Sequence, residues 1–123
     1  MTKNKTNADQ LIAVILEGIE DVKGQHINIL DLREIDNTVC DYFIICEGTS
    51  NTQVNAIVNS IQKKVSKEIK DKPWHVEGTT NAEWVLLDYI NVVVHVFQKH
   101  IREYYDIESL WGDAVATEIN TSY

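Results

Sequence analysis

The sequence predicts a one-domain α/β protein: a mixed sheet of the α+β kind, about five strands, with helices mainly on one face. Three observations predict it. Two long stretches repeat apolar residues at helical three- and four-residue steps, and five short apolar segments are rich in β-branched and aromatic residues. Their order is helix, strand, strand, helix, three strands, helix, without internal repeat or linker, which a single layered core accommodates. At 123 residues the chain has the size of one domain and can bury roughly two thirds of the surface it exposes when unfolded.

The first helix is expected over Ala8 to Val22, where Ala8, Leu11, Ile12, Ile15, Ile19 and Val22 form one stripe that ends at Lys23-Gly24. His26 to Leu32 alternates as a strand, Arg33 to Thr38 is a polar loop, and Asp41 to Glu47 carries Tyr42, Phe43, Ile44 and Ile45 as a second strand. Gly48-Thr49-Ser50 turns into the second helix, marked by Val54, Ile57, Val58, Ile61, Val65 and Ile69 and broken at Asp71-Lys72-Pro73. Three short strands follow at Trp74 to Val76, Glu83 to Tyr89 and Val92 to Phe97. The last two are close enough across Ile90-Asn91 for an antiparallel hairpin. A helix over about Gln98 to Tyr105 and a helical turn at Ile107 to Trp111 close a core running from about residue 8 to 114. The polar residues beyond Ala114 are expected to fray.

Composition narrows the function. The chain is 44% hydrophobic and 24% charged, with no apolar run near the ~20 residues of a membrane span, and Met1 to Asp9 lacks the apolar core of a secretory signal. A cytoplasmic protein is expected. Its net charge of -8 opposes unspecific contact with phosphate backbones and suits a basic protein partner, while leaving room for local basic patches. Cys40 and Cys46 fit neither a redox pair nor a zinc spacing and read as buried reduced thiols.

Chemistry finds little footing. Gly48-Thr49-Ser50 at a helix start could hold a phosphate on free amides. Ser50 with Gln53, however, reads as a capping box, and the glycine pattern and lysine of a P-loop are missing. Nucleotidyl transfer would need paired carboxylates for two metal ions, whereas Glu77 and Asp88 stand singly. Cys40, Asp41 and His95 carry no nucleophile motif, and His26, His75, His95 and His100 make no metal pattern. No catalytic residue, metal ligand or cofactor is expected.

The two faces of the last strands are more informative. Trp84, Leu86 and Asp88 share one side of their strand, and Val93, His95 and Phe97 share one side of the next. Both sides of each strand are rich in apolar groups, so the side away from the long helices is a candidate surface for a partner or a second copy of the chain. Trp84 opens its strand after a polar loop and reads either as core or as an interface anchor. Trp111 reads as a clamp for the last helical turn.

These residues resemble the ribosomal silencing factor family, also called Iojap-like proteins, over nearly the whole chain from Ala8 to Ala114. The likeness rests on Asp41 with its strand, Gly48-Thr49-Ser50 with Gln53, Glu77-Gly78, Ala82-Glu83-Trp84-Val85-Leu86-Leu87-Asp88 and Val92-Val93-Val94-His95-Val96-Phe97. It continues through Arg102, Tyr105-Asp106, Glu108, Leu110-Trp111 and Asp113-Ala114. One departure is Tyr89-Ile90-Asn91, where the family usually has a glycine in the turn.

The resemblance implies a nucleotidyltransferase-like fold without the acidic pair and a non-enzymatic translational repressor. Such a protein binds the large ribosomal subunit through its fourteenth large-subunit protein and sterically blocks the small subunit when nutrients are short. Homodimers are common in the family, and neither a membrane nor sequence-specific nucleic acid is expected as partner. On that basis Trp84 and Leu86 are expected to anchor the partner, Glu83 and Asp88 to meet basic groups, and His95 to border the patch. Asp41, Ser50, Gln53, Glu77 and Arg102 are expected to support the surface. The alternative is a nucleotide site, or residual transfer activity, at Gly48-Thr49-Ser50.

Overall fold

The computed structural model describes residues 7–123. Residues 1–6, most of the polar Met1 to Asp9 lead, lie outside them. Helix α1 (Ala8–Asp21) starts where the Asn7 side chain accepts the Asp9 and Gln10 amides. Strands β1 (Gln25–Asp31) and β2 (Tyr42–Gly48) follow, then α2 (Asn51–Ile69), capped by Ser50. Next come β3 (His75–Glu77), β4 (Trp84–Asp88) and β5 (Val92–Gln98). The chain ends with α3 (Lys99–Tyr105), α4 (Ile107–Leu110) and β6 (Val115–Glu118).

The sheet order is β3-β4-β5-β2-β1-β6, with β2 and β5 parallel and every other pair antiparallel. Among the described residues the sheet therefore has six strands rather than about five. The sixth lies in the segment expected to fray beyond Ala114: β6 pairs Val115 to Glu118 with Asp31 to Asn28 of β1. All four of its residues are exposed, so backbone hydrogen bonds rather than an apolar face hold it.

On one face α1 and α2 bury Ile15, Ile19, Ile57 and Ile61 against Ile44, Val85, Leu87, Val94 and Val96. The helices cross closely at Gly18, where an added Cβ would lie 3.0 Å from the Ile61 Cα. The Ser60 hydroxyl donates to the Gly18 carbonyl at the same crossing (2.7 Å). On the opposite face the two short helices cover a smaller core of Leu30, Leu32, Phe43, Ile45, Val93, Phe97 and Ile107. The long helices thus lie on one face, as the sequence suggested, while the second face is covered only in part.

Candidate functional site

The partly covered face begins at Gly78. Its φ of +91° and the 2.0 Å separation between a hypothetical Cβ and the Trp84 carbonyl oxygen allow only glycine there. This close approach sets the start of β4, whose register places Trp84 opposite Phe97 and Leu86 opposite His95. Pleat alternation then puts Trp84, Leu86, His95 and Phe97 on the side away from α1 and α2.

The side chains form a ladder of rings from core to surface. Phe43 meets His95 edge-on at 4.5 Å between centroids and Trp111 at 5.7 Å. Trp84 stacks on Phe97 at 4.9 Å and touches Tyr105 at 5.0 Å, and Tyr105 meets Tyr104 edge-on. Trp84 is half-buried, whereas Tyr105 is 50% and Tyr104 79% exposed. A small cleft of about 180 Å³ opens between Trp84, Tyr105, Ile101 and the Gly78 to Glu83 loop, with the exposed Glu83 carboxylate on its rim.

His95 lies beneath this surface at 4% exposure rather than bordering it. The Trp84 Nε1–H donates to its Nδ1 (3.1 Å), so the neutral ring carries its proton on Nε2. That Nε2 has no hydrogen-bond partner among the described residues. Burial pushes the imidazole down to about 4, so at neutral pH it is an uncharged acceptor that fixes the indole. Trp84 consequently serves core and surface together.

The other expected residues divide by position. Leu86 is half-buried in the same cluster. Asp88 accepts the Ile90 amide (2.7 Å) and so shapes the hairpin turn. Asp41 is exposed, and its amide donates to the Asn91 carbonyl (2.9 Å). Glu77 pairs with His75 at 2.6 Å, on the sheet edge.

At the α2 start, Ser50 Oγ accepts the Gln53 amide (3.1 Å). Gln53 Oε1 accepts both the Thr49 amide and hydroxyl, and its Nε2 reaches the Val22 and Lys23 carbonyls. The reciprocal bond of the cap therefore falls on Thr49 rather than Ser50, and these groups are engaged within the protein.

Arg102 is a structural strut. Its side chain is 11% exposed, and the guanidinium donates to Glu47 (3.0 Å), both oxygens of Glu108 and the His26 carbonyl (2.7 Å). Glu108 also accepts from Asn28 (3.0 Å). Arg102 holds the Glu108 carboxyl below its usual range. Both cysteines are buried, with thiols pushed up by burial to about 11 for Cys40 and about 12 for Cys46, hence protonated.

Tyr105 belongs to the family likeness but not to the residues expected to meet the partner, and Tyr104 belongs to neither. Their adjacency at the end of a seven-residue helix gives no periodic signal, and only the fold brings Tyr105 onto Trp84.

The family profile described as "Ribosomal silencing factor during starvation" matches residues 5–122. This chain belongs to the ribosomal silencing factor family. Ribosomal silencing factor RsfS of Halalkalibacterium halodurans is 39% identical over 110 residues, covering 89% of this chain and 92% of that protein. A crystal structure of a Chromobacterium violaceum protein superposes with a TM-score of 0.81 at 36% identity, covering 96% of this chain and 94% of that one. A shorter likeness, 34% over 74 residues and 58% of this chain, links it to 32% of the Mus musculus protein called "Mitochondrial assembly of ribosomal large subunit protein 1". Among these ribosomal silencing factors and their relatives no name denotes an enzyme.

Proposed function

We propose that this protein represses translation by binding the large ribosomal subunit through its fourteenth large-subunit protein and excluding the small subunit. The observation that carries the reading is the aromatic cleft of Trp84 and Tyr105, rimmed by Glu83, on the sheet face that the long helices leave open. Aromatic anchors surrounded by polar groups are how protein interfaces concentrate their energy. The net charge of -8 favours a basic ribosomal protein, and the name of the mouse relative points to the large subunit.

In this reading Trp84, Leu86, Tyr105 and Glu83 meet the partner, and His95 positions Trp84 from beneath. Asp88, Asp41, Glu77, Ser50, Gln53 and Arg102 hold the surface in shape. The fold is nucleotidyltransferase-like without transfer chemistry, because Glu77 and Asp88 each serve local contacts and the Gly48-Thr49-Ser50 turn is already capped. The protein acts in the cytoplasm, and the same face is available to a second copy.

The test is co-sedimentation with isolated large and small subunits, with subunit joining followed in the same gradients. Binding to the large subunit alone, with fewer joined ribosomes, is expected. Trp84→Ala would disturb the ring cluster as well as the surface, so exposed positions discriminate better. Glu83→Lys combined with Tyr105→Ala, both exposed, should weaken binding roughly tenfold or more, the ~1.4 kcal/mol of one decade, at a nearly unchanged melting temperature. Binding to neither subunit overturns the proposal.

A further inference from the structure

A second surface lies at the end of α2. Lys63, Lys64, Lys67, Lys70 and Lys72 are five of the chain's eleven Lys and Arg residues, gathered within ten positions. Against Glu68 and Asp71 they leave this stretch with a net charge of +3 in a chain of net -8. Lys64 turns to α1, where it pairs with Asp21 (2.7 Å) and Glu17. Lys63, Lys67, Lys70 and Lys72 are exposed. Lys63 and Lys67 stand one turn apart on one face of α2, and Lys70 follows as its C-cap at φ +62°, its ammonium donating to the Lys67 carbonyl (3.3 Å).

Directly after them stands Trp74, 78% exposed, a large aromatic left in water. Its amide donates to the Asp88 carbonyl (2.7 Å), which ties its backbone to the end of β4. An exposed indole on a tied backbone, following a run of exposed lysines in the chain, is a combination suited to single-stranded nucleic acid. One base stacks on the ring while lysines meet the phosphates.

We propose that Trp74 with Lys63, Lys67, Lys70 and Lys72 forms a contact for single-stranded or looped RNA. The overall negative charge does not forbid it, since beyond about 8 Å it is screened at physiological salt. An anionic membrane fits less well. The apolar side of α2, with Val54, Ile57, Val58, Ile61 and Val65, is buried in the core, so the helix has no face to insert. The site is separate in sequence from the Trp84 cleft and does not depend on the partner proposed for that cleft.

The experiment titrates the full chain into a fluorescein-labelled twelve-nucleotide polyuridine and reads anisotropy, with no ribosome present. Saturable binding is expected, falling roughly 50-fold between 50 and 200 mM salt, the slope of about -3 that four phosphate contacts on a single strand produce. Trp74→Ala should weaken binding roughly tenfold. Lys63→Gln, Lys67→Gln and Lys70→Gln together should reduce the slope by about 2. All four positions are exposed, so unchanged thermal melting confirms that the variants fold. No saturable binding at 50 mM salt, indifference to Trp74→Ala, or equal binding to phosphatidylserine vesicles or polyglutamate overturns the proposal.

Discussion

Ile90 sits at φ +77° in the hairpin between β4 and β5, 59% exposed, and the Asn91 amide donates back to the Tyr89 carbonyl (3.0 Å). That is a γ-turn with positive central φ, a conformation costing a β-branched residue ~1–2 kcal/mol. The resemblance implies a glycine in the Tyr89-Ile90-Asn91 turn, and the positive φ at Ile90 is a backbone that suits one. Ile90→Gly should raise stability by about 0.5–1 kcal/mol after the added unfolded-state entropy of glycine. A higher urea midpoint at constant slope would register the gain. His95 makes the second residue-scale prediction. Its value near 4, against an ordinary 6.5, means that the unfolded chain binds the proton more tightly than the folded one. The stability is complete above about pH 6.5 and is lost as pH falls towards 4, by roughly 3 kcal/mol in all. Urea titrations at several pH values should show that slope, and His95→Gln, which keeps an acceptor for Trp84, should flatten it.

Elements with a buried face were legible in the sequence, and β6, which has none, was not. The α2 stripe of Val54, Ile57, Val58, Ile61 and Val65 is buried as its spacing required, and the Val92–Gln98 strand splits its two faces as alternation required. By contrast β6 has exposed side chains throughout, so nothing in its hydrophobic pattern distinguishes it from a polar tail. Its anchors are distant in sequence: the Ile119 amide to the Ile27 carbonyl, and the Tyr123 hydroxyl to the Gly24 carbonyl. Ending the chain after Ala114 should cost roughly 2 kcal/mol, a few net hydrogen bonds, and bare the β1 edge. Urea denaturation should report the loss, and light scattering should show greater self-association at high concentration. In the intact chain, amides of β6 should exchange before those of β2 and β5 at the sheet centre.

Across the whole molecule the two faces are closed by different physics. Long helices seal one with aliphatic packing, while the short α3 and α4 are tied to the other through the ion cluster of Arg102, Glu47 and Glu108. The sequence signalled Arg102 only through resemblance, because its partners lie as far as 76 positions away. Arg102→Ala leaves Glu47, 6% exposed, without its cation, which should cost ~3–5 kcal/mol. Adding Glu47→Gln and Glu108→Gln should restore a large part, since the uncompensated charges are then removed. The same substitution separates scaffold from surface. Loosening α3 moves Tyr105 away from Trp84, so large-subunit binding should fall even at temperatures where Arg102→Ala remains folded by circular dichroism. Binding per folded molecule equal to that of the unaltered protein would mean that the short helices contribute stability alone and that the partner rests on β4.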